Sequence, residues 1–277
     1  MEDEWIQWLK PAVLIAKEAG AGIMNYYGVP TDRLSVTRKD DNTLLTEADV
    51  QAHEIIHNGL QQLTPDIPIL SEEGLIPGYP QRSQWSHYWL LDPLDGTRGF
   101  VDRRDEFTVN IALIEHRRPV MGVIYAPVLK QCYFALQGEG AFRQELDDEP
   151  QSIHTNTMNW EAFYVLLGHY LQTARLPGLF HDVAGCHVVR VNSSLKFCRI
   201  AEGKGDIYPR LGDTSEWDTA AAQCILTEAG GAIVDLQGEA LQYNAKESLL
   251  NPPFVAFGDP TQSKKIIELI HQKRREK

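Results

Sequence analysis

His87-Tyr88-Trp89-Leu90-Leu91-Asp92-Pro93-Leu94-Asp95-Gly96-Thr97 is an apolar run that ends in two carboxylates and a glycine–hydroxyl pair. Tyr88 to Leu91 have the aromatic and aliphatic character of a buried strand. Pro93 offers no backbone N–H, which predicts that the strand stops where the acids begin and holds them at a sheet edge. Hard cations such as Mg²⁺ take oxygen ligands from one or two carboxylates and leave their other positions to water and substrate phosphate. Asp92 and Asp95 therefore point to a divalent-metal site and to phosphate chemistry. Alone, the stretch reads equally well as a strand followed by an Asp-Gly turn, so its weight depends on the rest of the chain.

Upstream, Trp5, Leu9, Ala12, Ala16, Ala19 and Ile23 recur at helical spacing, and the pattern closes at Gly28 with Pro30 beyond, which predicts a long first helix. Thr46-Glu47-Ala48-Asp49 resembles a capping box opening a second helix through Leu60, after the acidic loop Lys39-Asp40-Asp41. Short apolar runs follow at 67–71, 88–92, 107–115, 120–125 and 132–136, the last three close enough to predict an antiparallel meander. The charged stretch Asp147 to Gln151 marks a border between an N-terminal α+β part, 1–150, and a C-terminal α/β part, 151–277. In the second part, strands at 163–167 and 188–191 alternate with helices at 194–201 and 217–229, the latter stopping at Gly230-Gly231. A final helix from Thr261 ends in a basic tail that reads as a solvated face.

With 277 residues, 43% of them hydrophobic, the chain can build one large core or two sharing a surface. Its net charge of −12 argues against a nucleic-acid polymer or an anionic membrane as partner, and an anionic small substrate would need local positive charge, most simply metal ions. No apolar run approaches ~18 residues and the N-terminus is acidic, so a cytoplasmic protein without a transmembrane segment is expected. Cys132, Cys186, Cys198 and Cys224 are widely spaced, which predicts reduced thiols rather than a zinc site or a disulfide framework.

Acids recur in similar settings at four places: Asp41 before the capped helix, Glu72 and Glu73 after a short strand, Asp92 and Asp95 after another, and Asp218 at a helix start. A two-metal site needs several carboxylates converging on ions ~3.5–4 Å apart, which elements ending at one face of a sheet can deliver. Individually, Glu72 reads as a surface turn acid and Asp218 as an ordinary N-cap.

The strings Asp41-Asn42-Thr43-Leu44-Leu45-Thr46-Glu47-Ala48-Asp49, Ser71-Glu72-Glu73, Asp92 to Thr97, and Trp217-Asp218-Thr219-Ala220 through Gly231 closely resemble, in order and spacing, the inositol monophosphatase superfamily. Phe107 to Leu113, Ser193-Ser194-Leu195-Lys196-Phe197-Cys198, Tyr208-Pro209-Arg210 and Leu250-Asn251-Pro252 resemble its CysQ-type branch, the 3′(2′),5′-bisphosphate nucleotidases. The resemblance implies the layered αβαβα sugar-phosphatase fold and Mg²⁺-dependent hydrolysis of the 3′-phosphate of adenosine 3′,5′-bisphosphate to AMP. It extends to the sulfated precursor and to lithium inhibition, with an inositol or other sugar-phosphate phosphatase as the alternative. Carried over by position, one Mg²⁺ would be held by Glu72, Asp92 and the carbonyl of Leu94, and a second by Asp92, Asp95 and Asp218. A third, weaker ion or the attacking water would be shared by Asp41 and Glu72, with Thr97 orienting that water and Asp49 supporting the loop. Gly96 and Thr97 would present backbone N–H groups to the phosphate, and Ser194, Lys196 and Arg210 would meet the rest of the substrate, the two cations serving its second phosphate. The partner implied is a small phosphorylated nucleotide and the chain a monomer or homodimer, and the resemblance also allows peripheral association with the inner membrane, as bacterial relatives can show. Thr43-Leu44, Ala222 and Asp213 depart from the Ser-Pro, glycine and proline frequent in that family, and none is an implied ligand.

Two further patterns stand outside this scheme. His53-Glu54-Ile55-Ile56-His57 fits the His-Glu-x-x-His zinc-protease motif, though such a protease leaves the acidic motifs unexplained. Ser193-Ser194-Leu195-Lys196 matches the Ser-x-x-Lys of acyl-serine enzymes, without the Ser-Asp-Asn or Lys-Thr-Gly that accompany it. A non-catalytic regulatory protein on the same fold is disfavoured by the complete set of acids.

Overall fold

In the computed structural model, which describes residues 2–29, 36–38, 44–170, 180 and 183–275, the apolar faces stack into five layers: helix, sheet, helix, sheet, helix. The outer layer pairs α1 (Glu2–Tyr27) with α2 (Glu47–Leu63), the latter entered from a small ribbon of β1 (Val36–Arg38) and β2 (Leu44–Thr46). Ala12, Ala16, Ala19 and Ile23 of α1 and Ala48, Ala52, Ile56 and Leu60 of α2 have no exposed surface, so the stripe read from the sequence is the buried one. The capping box of α2 forms as expected between Thr46 and Asp49.

Beneath these helices lies a seven-stranded sheet in sequence order: β3 (Ile69–Ser71), β4 (His87–Asp95), β5 (Thr108–Glu115), β6 (Arg118–Ala126), β7 (Gln131–Leu136), β8 (Gly140–Glu145) and β9 (Gln151–Ile153). Short helices α3 (Tyr79–Arg82) and α4 (Thr97–Val101) flank β4. β3 and β4 are parallel and every later pair is antiparallel, which is the expected meander extended by β8 and β9. Trp89, Leu91, Val109, Ile111 and Leu113 pack under α1 and α2, while Tyr88, Leu90, Ala112 and Ile114 pack on the opposite side. Both faces are thus covered, and the strands read as near-continuous apolar runs.

Two expectations for the opening stretch are corrected. β4 does not stop before the acids but continues through Pro93 to Asp95, with its register to β5 shifting between Asp92 and Asp95. A bulge tolerates proline because the ladder is already interrupted there. Nor do the acids sit on an edge strand, since β4 lies between β3 and β5 and they occupy its C-terminal end.

The middle layer holds α5 (Leu195–Ala201) and α6 (Ala220–Glu228). α6 lies so close to β6 that a Cβ on Gly122 would fall 2.3 Å from the Ala221 carbonyl oxygen. The second sheet comprises β10 (Phe163–Leu167), β11 (Cys186–Arg190), β12 (Ile207–Arg210), β13 (Ala232–Asp235) and β14 (Phe254–Phe257), ordered β11-β10-β12-β14-β13. The last layer is α7 (Ser263–Arg275), whose Ile266 and Ile270 are buried against Phe163, Val165 and Phe257. All four cysteines are free thiols, and burial pushes that of Cys132 up to about 12. No helix among the described residues is long and apolar enough to cross a membrane.

Candidate active site

Parallel pairing of β3 with β4 sets their C-terminal ends side by side, and the Glu72 N–H donates to the Leu91 carbonyl at 3.1 Å. Glu72 therefore leaves its strand beside Asp92. The Asp92 carboxylate accepts the Leu94 N–H at 3.1 Å, which folds the bulge over its own acid. Gly96 then turns the chain into α4 at φ +92°, a conformation that costs a side-chain-bearing residue and favours glycine. Asp218 arrives from the other half of the chain on a single 3₁₀ turn, Glu216–Asp218, where its carboxylate accepts the Ser215 N–H at 2.9 Å. That turn replaces the first part of the helix expected from Trp217.

Carboxylate oxygens of Glu72, Asp92 and Asp218 lie within 4.8 Å of one another. Asp92 is 1% exposed, and burial first, then Glu72, Asp95, Asp218 and Asp49, holds its carboxyl well above the usual carboxylate range. Burial and the charges of Asp95 and Glu72 push Asp218 up to about 8. Burial likewise raises Asp49 to about 6, against the hydrogen bonds it accepts from Thr46 and Thr97. Acids this close ionise together only beside added positive charge. An all-oxygen donor set selects a hard cation such as Mg²⁺ over softer ions, so these residues fit the metal implied by the sequence.

The outer positions are hydrogen-bonded around this cluster. Thr97 Oγ1 lies 3.1 Å from Asp49 Oδ1 and 3.2 Å from the Leu94 carbonyl, linking three of the expected residues. Ser194 Oγ donates to Asp95 Oδ2 at 2.8 Å and accepts from Asn110 Nδ2 at 2.9 Å. Lys196 Nζ is buried over the Tyr208 ring, 4.9 Å from its centre, and donates to the Ser193 carbonyl at 2.6 Å. Burial lowers it to about 8, against the attraction of Asp95. The Lys196 contact is with a carbonyl and not a hydroxyl, so Ser193 has no base of the acyl-serine kind here. Arg210 donates to the Asp213 carbonyl at 2.6 Å and to Thr214 Oγ1 at 3.3 Å.

Lys196, Arg210 and Gly96 line a cleft of about 230 Å³ together with Arg98, Tyr170 and Asn192. Arg98 and Tyr170 escape the sequence reading, although Arg98 directly follows the Thr97 motif; its guanidinium stacks 4.3 Å from the Tyr170 ring centre. Glu216 escapes it too: fully buried, pushed up to about 7 by burial, it accepts the Asn244 N–H at 2.7 Å and anchors the Asp218 turn. Asn251 holds the same turn through the Ser215 carbonyl at 2.7 Å. Asp41 lies outside the described residues. The His53–His57 pair stands on α2, with His53 Nδ1 2.9 Å from Ser71 Oγ and not among the acids.

The model of the inositol monophosphatase family matches residues 4–276. The 3′(2′),5′-bisphosphate nucleotidase CysQ of Escherichia coli K12 is 42% identical over 240 residues, covering 87% of this chain and 95% of that one. The crystal structure of CysQ from Bacteroides thetaiotaomicron, described as a bacterial member of the same family, superposes with a TM-score of 0.79 at 35% identity, covering 91% of this chain and 97% of the other. An inositol monophosphatase from Thermotoga maritima shares the fold at a TM-score of 0.81 and 22% identity, over 98% and 99% of the two chains. The family is one of metal-dependent phosphatases, generally using Mg²⁺. By sequence, by five-layer architecture and by its converging acids, this chain belongs to the inositol monophosphatase family.

Proposed function

We propose that this chain is a Mg²⁺-dependent 3′(2′),5′-bisphosphate nucleotidase, a phosphoric monoester hydrolase that converts adenosine 3′,5′-bisphosphate and water to AMP and inorganic phosphate. The single observation that carries the reading is a converging carboxylate triad, buried Asp92 between half-buried Glu72 and Asp218, opening beside a cleft that bears Lys196 and Arg210. The resemblance in sequence to the CysQ nucleotidases supports the same substrate.

Glu72, Asp92 and the Leu94 carbonyl would hold one Mg²⁺, and Asp92, Asp95 and Asp218 a second, with Asp41 and Glu72 available to a third. Bound there, the ions supply a water of lowered pKa and neutralise charge on the phosphoryl oxygens. The chain's own groups do the rest. Asp49 accepts the hydrogen bond of Thr97 Oγ1, and in this reading that hydroxyl would orient the attacking water. Backbone N–H groups of Gly96 and Thr97 receive the phosphate undergoing hydrolysis. Water oxygen bonds to phosphorus and the bond to O3′ breaks, one proton of the water ending on O3′ and the other on the released phosphate, with no covalent intermediate on the protein. Lys196 and Arg210 bind the 5′-phosphate, which a monophosphate substrate lacks, while Ser194 fixes Asp95 relative to this wall. The division into 1–150 and 151–277 belongs to the same reading, since the first part carries Asp49, Glu72, Asp92 and Asp95 and the second Asp218 and Lys196.

Phosphate release from adenosine 3′,5′-bisphosphate, 3′-AMP and inositol 1-phosphate tests this. The bisphosphate is expected to have the highest kcat/KM, by one to two decades over 3′-AMP, the worth of a charge-assisted hydrogen bond of ~1.5–3 kcal/mol. Equal constants for the two nucleotides, or preference for inositol phosphate, would overturn the nucleotidase assignment and leave the metal-dependent phosphatase standing.

A further inference from the structure

His53 and His57 are left unused by the phosphatase chemistry. They stand four residues apart on α2, so both imidazoles project from one face, flanking the buried stripe of Ala52, Ile56 and Leu60. Both are half-buried, and their ring centres are 5.6 Å apart. Two imidazoles bound to one tetrahedral ion at ~2.0–2.1 Å have ring centres ~5–6 Å apart, so the pair already has the spacing of bidentate ligation.

The ring of His53 is fixed from outside. Its Nδ1 is 2.9 Å from Ser71 Oγ, which orients the imidazole and leaves Nε2 as the nitrogen not engaged by that serine. Metal-ligating histidines characteristically have their second nitrogen hydrogen-bonded in this way. A Cβ on Gly74 would lie 3.4 Å from His53 Cε1, so the turn after Ser71 closes against the ring. Burial, then the neighbouring His57, lowers the pKa of His53, which keeps its imidazole neutral and its lone pair available at neutral pH.

We propose that His53 and His57 form a second metal site, separate from the carboxylate centre and selective for imidazole-binding transition ions such as Zn²⁺. Imidazole suits Zn²⁺, Ni²⁺ and Cu²⁺, whereas Mg²⁺ prefers carboxylate and water, so the two centres on one chain sort ions by donor chemistry. Among the described residues no third acid, cysteine or histidine converges on the pair. Water therefore completes the coordination, and the site binds reversibly and is not a protease centre built on three protein ligands.

Calorimetric titration of Zn²⁺ into chelator-treated full-length protein, with Mg²⁺ saturating, tests the assignment. One Zn²⁺ per chain is expected to bind without displacement by Mg²⁺. His57→Gln should weaken it by ~10-fold or more, since even an outer-sphere partner of a ligating histidine carries a loss of that size. Mg²⁺-dependent phosphatase activity of the same variant should be retained, which shows that it is folded. The unmodified protein supplies a second reading: Zn²⁺ should protect His57 from acylation by diethyl pyrocarbonate, followed by peptide mass. Equal Zn²⁺ affinity in His57→Gln, complete displacement of Zn²⁺ by Mg²⁺, or undiminished labelling of His57 at saturating Zn²⁺ would each overturn the site.

Discussion

Ser194 Oγ donates to Asp95 Oδ2 at 2.8 Å across 99 residues of sequence. This one hydroxyl ties the N-terminus of α5 to the acid that closes the β4 bulge, and Asn110 donates to the same oxygen from β5. Removing it leaves buried Asn110 and half-buried Asp95 each short of a hydrogen bond, so Ser194→Ala should lose ~1–3 kcal/mol of stability. A denaturant titration showing no change would separate the hydroxyl from the cohesion of the site.

Asp92 lies at the centre of the acid cluster and is the least replaceable of the proposed ligands. Asp92→Asn keeps an oxygen for the Leu94 N–H but removes the shared negative charge. Mg²⁺-dependent phosphate release should fall to background, while the metal-free protein melts at or above the temperature of the parent because like-charge repulsion is relieved. Near-normal turnover at saturating Mg²⁺ would refute the role.

Stability should depend on pH and Mg²⁺ together. Folding raises Asp218 from 3.8 to about 8 and Asp49 to about 6, so both bind protons more tightly folded than unfolded. Their contribution is complete below the unfolded pKa and is lost as pH rises through the folded values, by up to ~1.4 kcal/mol per pH unit for each group. Mg²⁺ restores what ionisation costs, so the rise in Tm on adding Mg²⁺ should be larger at pH 8 than at pH 5. Equal increments at the two pH values would contradict the proposed metal cluster.

Lys196 carries the proposed preference for a second phosphate. Its pKa is lowered to about 8, so in the free enzyme it is charged below that value and neutral above it. The kcat/KM ratio of adenosine 3′,5′-bisphosphate to 3′-AMP should therefore decline as pH rises through about 8, chiefly through KM of the bisphosphate. Lys196→Met should flatten that profile and lower the ratio ~10–100-fold, with 3′-AMP little affected. A ratio unchanged in the variant would remove Lys196 from substrate recognition.

Gly122 is the contact on which β6 and α6 close. Gly122→Ala would place a methyl group 2.3 Å from the Ala221 carbonyl oxygen, which only backbone movement can relieve. Overpacking of this kind costs ~1–3 kcal/mol, so a clear loss of Tm is expected, with weakened Mg²⁺ affinity through the adjoining Asp218 turn. A variant as stable as the parent would show that the layers can slide apart without cost.

Local physics made much of the chain readable in one dimension. The stripe of α1, the capping box at Thr46 and Asp49 and the alternation along β5 are written in residues three to four or two apart, so sequence alone determined them. The motif order also determined the family, the layered fold and the acids Glu72, Asp92 and Asp218 that converge. Tertiary structure decided what depends on residues far apart in the chain. Pro93 looks like a strand end by its missing N–H, but the register shift to β5 absorbs it. The raised pKa values of Asp92 and Asp218 come from burial and from one another, so neither follows from its own sequence neighbours. β12, β13 and β14 are four residues each, too short for a periodic signal, and exist as strands because of their long-range partners. Arg98, Tyr170 and Glu216 gain their places only when separate elements close around one cleft and one turn, since a lone cation, ring or acid has no periodicity to give it away.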